Sequence, residues 1–249
     1  KTGLGDYLEG FNEGITCISP STMGAQIETS KYFARKILDE NGLSKYNPNY
    51  ILVNKQTPFV NIQDFIEVHN NNVVVKANGL YSGKGVKVYG IDMFSKTEVL
   101  DNIYTILKKN DFVVLERRIQ SQNEFSLISF TDSETTQHSF PIKDFKRLHD
   151  ENRGPNTGSM GCIYDSGTLK YLTPELIQEA KALNSKVIDI LNTKGYPYKG
   201  MLYGSYIVDG DGTLKVIEFN CRFGDPESVL IMKRLETNFG KICHHIAKK

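Results

Sequence analysis

Two short stretches of the chain combine residue types and spacings that could do chemistry. The first is Lys76-Ala-Asn-Gly79-Leu-Tyr-Ser82-Gly83-Lys84-Gly85. Its three glycines expose backbone N–H groups able to wrap phosphate oxygens without side-chain obstruction, and Lys76 adds a point charge at the end of an apolar run. A Walker A loop needs four residues between its first Gly and the Gly-Lys-Ser/Thr, then a helix. Here three residues separate Gly79 from Gly83, Gly85 follows Lys84, and a strand pattern comes next, so that reading fails. The kinase pattern G-x-G-x-x-G fails as well, and no HRD or DFG follows. Taken alone, a Gly-rich hairpin with a solvated lysine fits the stretch as well as phosphate binding does.

The second stretch is Lys215-Val-Ile-Glu218-Phe-Asn220-Cys-Arg222-Phe-Gly-Asp225-Pro226-Glu227. Strand alternation would send Glu218 and Asn220 to one face and Ile217, Phe219 and Cys221 to the other. A carboxylate beside an amide oxygen suits a hard Mg²⁺ ion, which takes oxygen ligands and is often completed by nucleotide phosphates. Arg222 continues that polar face and could clamp a transferring phosphoryl group. The plainer reading is the solvated side of an edge strand. Against it stand the unbroken polar run through Glu218, Asn220 and Arg222 and the acidic turn holding Asp225 and Glu227.

The elements that must position these residues alternate. Capping signals, apolar spacing at Ile27, Phe33, Ile37 and Leu38, and Gly42 predict one helix of about five turns through residues 19–42. A strand at Ile51–Val53, a helix over Asn61–His69, strands on either side of the glycine loop, a helix opened by the Ser95/Glu98 capping box and a buried strand at residues 112–116 follow. Residues 124–132 and 135–141 read as antiparallel strands joined by a turn at Asp132 and Ser133, and a long polar loop is expected from Lys143 to about Thr168. Thr173 and Pro174 open a helix ending at Gly195, and residues 201–208 and 213–220 form a hairpin across Asp209-Gly-Asp-Gly. Asp6, Tyr7, Leu8 and Phe11 look like the tail of an amphipathic helix continuing from sequence upstream.

Composition narrows the class. The 249 residues, 39% hydrophobic and 24% charged, suffice for one large domain or two modest lobes, and the net charge of +1 gives no global field for nucleic acid or an anionic membrane. No apolar run approaches the roughly 20 residues of a membrane helix. Cysteines at 17, 162, 221 and 243 form no CxxC pair, which points to a reducing cytoplasm. The five histidines, at 69, 138, 149, 244 and 245, enter no acid/base or metal motif recognisable from spacing.

Residues 76–86, KANGLYSGKGV, look like the KA-x-GLA-x-GKGV loop of phosphoribosylamine–glycine ligases. GPNTGSMG at 154–161 is similar to their GPNTGGMG, and EFNCRFGDPE at 218–227 matches their motif letter for letter. The resemblance also takes in SPSTMGAQIETSK and KGMLYGSYIV, and so runs over essentially the whole chain. It implies an α/β (α+β) ATP-grasp fold, two lobes with the nucleotide between them, acting as an ATP-dependent carboxylate–amine ligase that joins glycine to phosphoribosylamine in purine biosynthesis. The domains expected on this basis are residues 1–45 as the end of an N-terminal domain plus a connecting helix, 46–115 as the small lobe, and 116–249 as the large lobe.

The same resemblance implies Lys31 and Lys76 on the nucleotide phosphates, the loop of Gly79, Ser82, Gly83, Lys84 and Gly85 as a lid over them, Leu115 and Glu116 at the adenine hinge, and Glu124 on the ribose. Glu218 and Asn220 would hold Mg²⁺ (or Mn²⁺), with Arg222 near the γ-phosphate. Asp144, Lys146, Arg147, Gly154, Pro155, Asn156, Thr157, Gly158, Asp225 and Pro226 would line the acceptor side. The family's usual chain is longer, so a partner chain or further domains are expected to complete the amine pocket. Arg117, Arg118, Phe145 and Val229 depart from the family pattern near the adenine and acceptor positions. Two alternatives follow from these departures: a non-enzymatic or regulatory ATP-binding relative, and a ligase with a changed acceptor.

Overall fold

The computed structural model describes residues 3–10, 17–81, 85–121, 123–151, 153–164, 169 and 171–248. Element order is α1 (Leu4–Glu9), α2 (Gln26–Thr29), α3 (Lys31–Glu40), a 3-10 turn (Ser44–Tyr46), β1 (Tyr50–Val53), α4 (Phe59–Val68), β2 (Val73–Ala77), β3 (Val86–Val88), α5 (Lys96–Leu107) and β4 (Val113–Arg117). It continues with β5 (Glu124–Thr131), β6 (Thr136–His138), β7 (Lys143–Asp144), β8 (Arg147–His149), β9 (Arg153–Asn156), β10 (Cys162–Ile163), α6 (Pro174–Thr193), β11 (Gly200–Val208), β12 (Leu214–Asn220), α7 (Glu227–Arg234) and α8 (Phe239–Ala247).

The chain divides into two compact units, one of residues 28–120 and one of residues 1–27 with 121–249, a different partition from the breaks expected at 45/46 and 115/116. In the first, β1-β4-β2-β3 form an antiparallel sheet. Val73 and Val75 of β2, Val113 and Leu115 of β4, and apolar residues of α4 and α5 close one buried core. The alternate residues of the same strands, Lys76 and Glu116, therefore face the other way, toward the side where α3 places Arg35. In α3 the polar residue Arg35 is buried together with Ala34, Ile37 and Leu38, which places its guanidinium on the packed face of the helix. The single five-turn helix expected over residues 19–42 is in fact two helices, because Ser30 adopts an extended backbone and its hydroxyl accepts from the Phe33 N–H as a fresh N-cap.

In the second unit the sheet order is β12-β11-β5-β6, again antiparallel. Directly opposite residues share a face. Glu124, Ser126 and Ile128 of β5 oppose Ile207, Ser205 and Tyr203 of β11, while Ser205 and Tyr203 oppose Glu218 and Asn220 of β12, so all eight lie on one face. The register shifts between Ser205 and Tyr206, putting Val216 opposite Tyr206 and leaving Ile217 as the extra residue of a bulge. Strict alternation through β12 is thereby interrupted, yet Glu218 and Asn220 stay together as expected. The opposite face, with Leu127, Tyr206 and Phe219, is covered by α6, whose buried Asn184 donates to the Leu127 carbonyl and to Ser129 Oγ and accepts from Tyr206 Oη. Asn184→Leu is expected to cost about 1–3 kcal/mol in chemical denaturation, since it leaves buried polar partners unmatched. A loss indistinguishable from zero would mean those groups find other partners.

The polar loop expected over 143–168 is instead two short antiparallel ribbons within its described part, β7 with β10 and β8 with β9. The Phe145 N–H donates to the Gly161 carbonyl, and the N–H groups of Met160 and Thr157 donate to the Phe145 and Lys146 carbonyls. Polar side chains hid this pairing from a hydrophobic pattern. The helices expected at Ser95 and Thr173 form with their hydroxyls accepting from Glu98 and Leu176 N–H groups, and α1 contains Asp6, Tyr7 and Leu8, while Phe11 lies outside the described residues.

Candidate active site

Two of the residues expected on phosphate, Lys31 and Lys76, belong to the first unit. Lys31, first residue of α3, donates from Nζ to the Gly79 carbonyl at 3.0 Å. Asn78 holds the same helix start, its Oδ1 accepting from the Tyr32 N–H and from Ser30 Oγ. Gly79 has φ of +124°, a backbone that disfavours any side chain, and a Cβ on Gly85 would fall 2.7 Å from Tyr81 Cβ. Both glycines are thus required by the turn itself. Ser82, Gly83 and Lys84 lie outside the described residues.

Lys76 and Glu116 form a buried ion cluster with Arg35. Glu116 Oε1 accepts from Arg35 Nε at 2.7 Å and Glu116 Oε2 from Lys76 Nζ at 2.6 Å, with all three side chains less than a tenth exposed. Burial alone would raise the Glu116 carboxyl, but the charges and hydrogen bonds of Arg35 and Lys76 outweigh it and hold the group below its ordinary value. Leu115 packs into the apolar core and the Glu116 side chain is committed to this cluster, so neither side chain is open to an adenine base. Arg35 carried no motif signal; a cation on the buried stripe of a helix was the sequence feature that could have marked it.

On the polar face of the second sheet, Asn220 Nδ2 donates to Glu218 Oε1 at 3.2 Å and Arg222 Nη2 donates to Asn220 Oδ1 at 3.3 Å. The expected Glu–Asn–Arg run is therefore contiguous. Among the described residues no group of three His, Cys, Asp or Glu could hold a metal. Glu218 and Asn220 offer one carboxylate and one amide oxygen, a donor set that fits Mg²⁺ only when water and phosphate oxygens complete its shell.

Beside this run, Glu124, Ser126, Asp144, Lys146, Tyr203 and Ser205 line a small recess. Asp144 is half-buried; burial pushes its carboxyl up, opposed by the hydrogen bond from Ser159 Oγ at 2.5 Å and the charge of Lys146 at 4.0 Å. Arg147 Nη1 donates to the Gly154 carbonyl, and Thr157 donates twice to the Lys146 carbonyl, so residues 144–147 and 154–161 are laced into one structure. Asp225 and Pro226 stand just before α7, and Pro226 is its N-cap. The first residue of that helix, Glu227, is 1% exposed and accepts from Tyr203 Oη at 2.7 Å and Ser126 Oγ at 3.3 Å. Burial and the adjacent Glu227 carboxylate push the Tyr203 phenol far up. Glu227 was legible only as part of an acidic turn; its burial against the recess was not.

In three dimensions the chain is similar to the crystal structure of phosphoribosylamine–glycine ligase from Thermotoga maritima, with a TM-score of 0.73 and 26% identity over 88% of this chain and 54% of that one. Its mixed helix-and-sheet architecture is the ATP-grasp fold. Residues 29–228 match the family described as phosphoribosylglycinamide synthetase, ATP-grasp (A) domain, and the chain belongs to that family. It is 36% identical over 252 residues to the phosphoribosylamine–glycine ligase of Methanocorpusculum labreanum, covering 99% of this chain and 55% of that protein. The corresponding figures for the Methanocella arvoryzae ligase are 33% over 246 residues, 98% and 54%. The chain thus spans about half the length of these curated relatives.

Proposed function

We propose that this chain supplies the ATP- and metal-handling part of a cytoplasmic ligase that joins glycine to 5-phosphoribosylamine, with further domains or a partner chain completing the amine pocket. The observation that carries the reading is the contiguous Glu218–Asn220–Arg222 run on the same sheet face as Glu124 and the Asp144 recess.

Lys31, Lys76 and the 79–85 loop bind the nucleotide phosphates, and Glu124, exposed at the start of β5, takes the ribose. Adenine is placed at the end of β4, next to Leu115 and Glu116, whose backbone groups pair with β1 and β2. Glu218 and Asn220 hold Mg²⁺, which neutralises phosphate charge when bound. Asp144, Lys146, Arg147, the 154–158 segment, Asp225 and Pro226 line the side where glycine and the amine meet.

A glycine carboxylate oxygen attacks the γ-phosphorus, ADP leaves, and a glycyl phosphate forms. The amine then attacks the acyl carbon; the C–N bond forms, the C–O bond breaks, phosphate departs with that oxygen, and the amine proton passes to solvent. No protein nucleophile is needed. The chain's own task is to align reactants and to offset spreading negative charge with Lys76, Lys31 and Arg222.

The test is incubation with Mg·ATP, glycine and freshly made phosphoribosylamine, following ADP and glycinamide ribonucleotide. Both products are expected to appear together from the complete ligase. ATP binding with no ADP formation would overturn the ligase reading in favour of a non-enzymatic ATP-binding protein. For the metal assignment, Glu218→Gln should raise the Mg²⁺ concentration that half-saturates nucleotide binding by about tenfold or more; an unchanged value would remove Glu218 from the metal.

A further inference from the structure

Glu227, the first residue of α7, is 1% exposed and has no part in the phosphoryl or acyl steps above. Its Oε1 accepts from Tyr203 Oη at 2.7 Å. Ser126 Oγ, 3.3 Å from the same oxygen, divides its one hydrogen between Glu227 and the Ile142 carbonyl, also at 3.3 Å. Tyr203 is therefore the principal tie between the helix start and the sheet. On its other side the carboxyl meets backbone: a Cβ on Gly224 would fall 2.3 Å from Glu227 Oε2 and 2.7 Å from the Tyr203 ring. Only a residue without a side chain lets the chain pass this close.

Between Gly224 and Glu227 lie just Asp225 and Pro226, the pair read as lining the acceptor side. The Ser228 N–H donates to the Gly224 carbonyl and the Val229 N–H to the Pro226 carbonyl, each at 3.0 Å, so this turn and the start of α7 form one unit. The body of the helix is held by other means, because Ile231 packs with Ile128, Ile142 and Tyr203 in one apolar cluster. Apolar packing is non-directional and leaves the turn free to slide along the sheet, whereas a hydrogen bond at the first helical residue fixes its place. Arg222 lies before Gly224 and is bound to Asn220 and the Phe223 carbonyl, on the strand side of the turn.

We propose that Glu227 is a positioning residue for the acceptor side. Through its hydrogen bond with Tyr203 and its contact with Gly224, it sets where the Asp225–Pro226 turn stands against the sheet face that carries Ser126 and Ser205. The inference rests on the reading of Asp225 and Pro226 as acceptor-side residues and deepens it, since Glu227 touches no substrate in that reading.

The test is steady-state kinetics of the complete ligase, with Mg·ATP, glycine and phosphoribosylamine each varied in turn. Glu227→Ala is expected to raise the KM of one or both acceptor-side substrates by about tenfold or more, while the KM for Mg·ATP stays within about twofold. Glu227→Gln keeps an oxygen able to accept from Tyr203 and is expected to recover most of that loss, to within about threefold of wild type. Tyr203→Phe removes the donor but keeps the ring, so it should raise the same KM by about threefold or more and add nothing further when combined with Glu227→Ala. Tyr203→Phe also carries the test if Glu227→Ala does not fold. Equal rises in all three KM values, a fall in kcat alone, or a Gln variant as impaired as the Ala variant would each overturn the proposal. So would unchanged acceptor KM values in Glu227→Ala where Asp225→Asn does raise them. No shift in either variant would overturn the acceptor-side reading of the turn, and the proposal with it.

Discussion

Arg222→Met is expected to lower kcat of the ligase by about 10²- to 10³-fold with little change in the KM for glycine. The guanidinium lies at the exposed end of the polar run, donating to Asn220 Oδ1 at 3.3 Å and to the Phe223 carbonyl at 2.9 Å, so its plane is set from the same strand that carries Glu218 and Asn220. A group placed in advance where charge spreads during phosphoryl transfer contributes most in the transition state, which is why the loss should fall on kcat. Methionine retains much of the side-chain bulk, so folding and thermal stability should change little. Steady-state kinetics with glycine varied at saturating Mg·ATP would decide it: a rise in KM with kcat intact would make Arg222 a ground-state anchor and remove it from the phosphoryl step.

The largest effect on stability is expected at Glu116. Its carboxylate is 3% exposed and satisfies two buried cations, so Glu116→Leu would leave Arg35 and Lys76 without their shared counter-charge at a cost of about 3–5 kcal/mol. For a chain of this size that corresponds to a fall in Tm of roughly 6–20 °C. The pH dependence gives an independent check. The folded-state carboxyl lies below its ordinary value of 4.5, so its contribution is fully present above that pH and is lost as pH falls through the folded value. The wild-type protein should therefore lose stability on acidification below about pH 4.5 more steeply than Glu116→Leu. Parallel pH profiles, or a variant as stable as wild type at neutral pH, would show that the cluster contributes little to the fold.

Much of the fold could be read directly, because caps and periodicity are local. Ser95 and Thr173 announce their helices, and the hairpin of β11 and β12 follows from two apolar runs around Asp209-Gly-Asp-Gly. The failures have a common physical origin in pairings whose partners are polar or distant. Ser30 serves equally well inside a capping sequence or as a new cap, and only the extended backbone at Ser30 divides the expected helix. Residues 143–163 pair through backbone groups that leave no hydrophobic trace. The bulge at Ile217 depends on the register with β11, which no single strand encodes.

For the candidate site, the glycine loop and the Glu218–Asn220–Arg222 run were legible because they are contiguous in sequence. The placement of Lys31 with the 79–85 loop was reachable only through resemblance, and the recess that joins Tyr203 to Glu124 and Asp144 only through the fold, since their members are tens of residues apart. Arg35 was reached by neither route, and Glu227 only as part of an acidic turn, without its burial. Both are charged residues whose meaning comes from burial, and burial belongs to the folded chain.

The most direct measurement follows an oxygen atom. Glycine labelled with ¹⁸O in its carboxylate is turned over with Mg·ATP and phosphoribosylamine, and the inorganic phosphate is analysed by mass spectrometry. Attack of the carboxylate on the γ-phosphorus transfers one labelled oxygen to each phosphate released. Phosphate carrying no label beyond background, alongside amide product, would contradict the acyl-phosphate route and with it the assignment of this chain's residues to phosphoryl transfer.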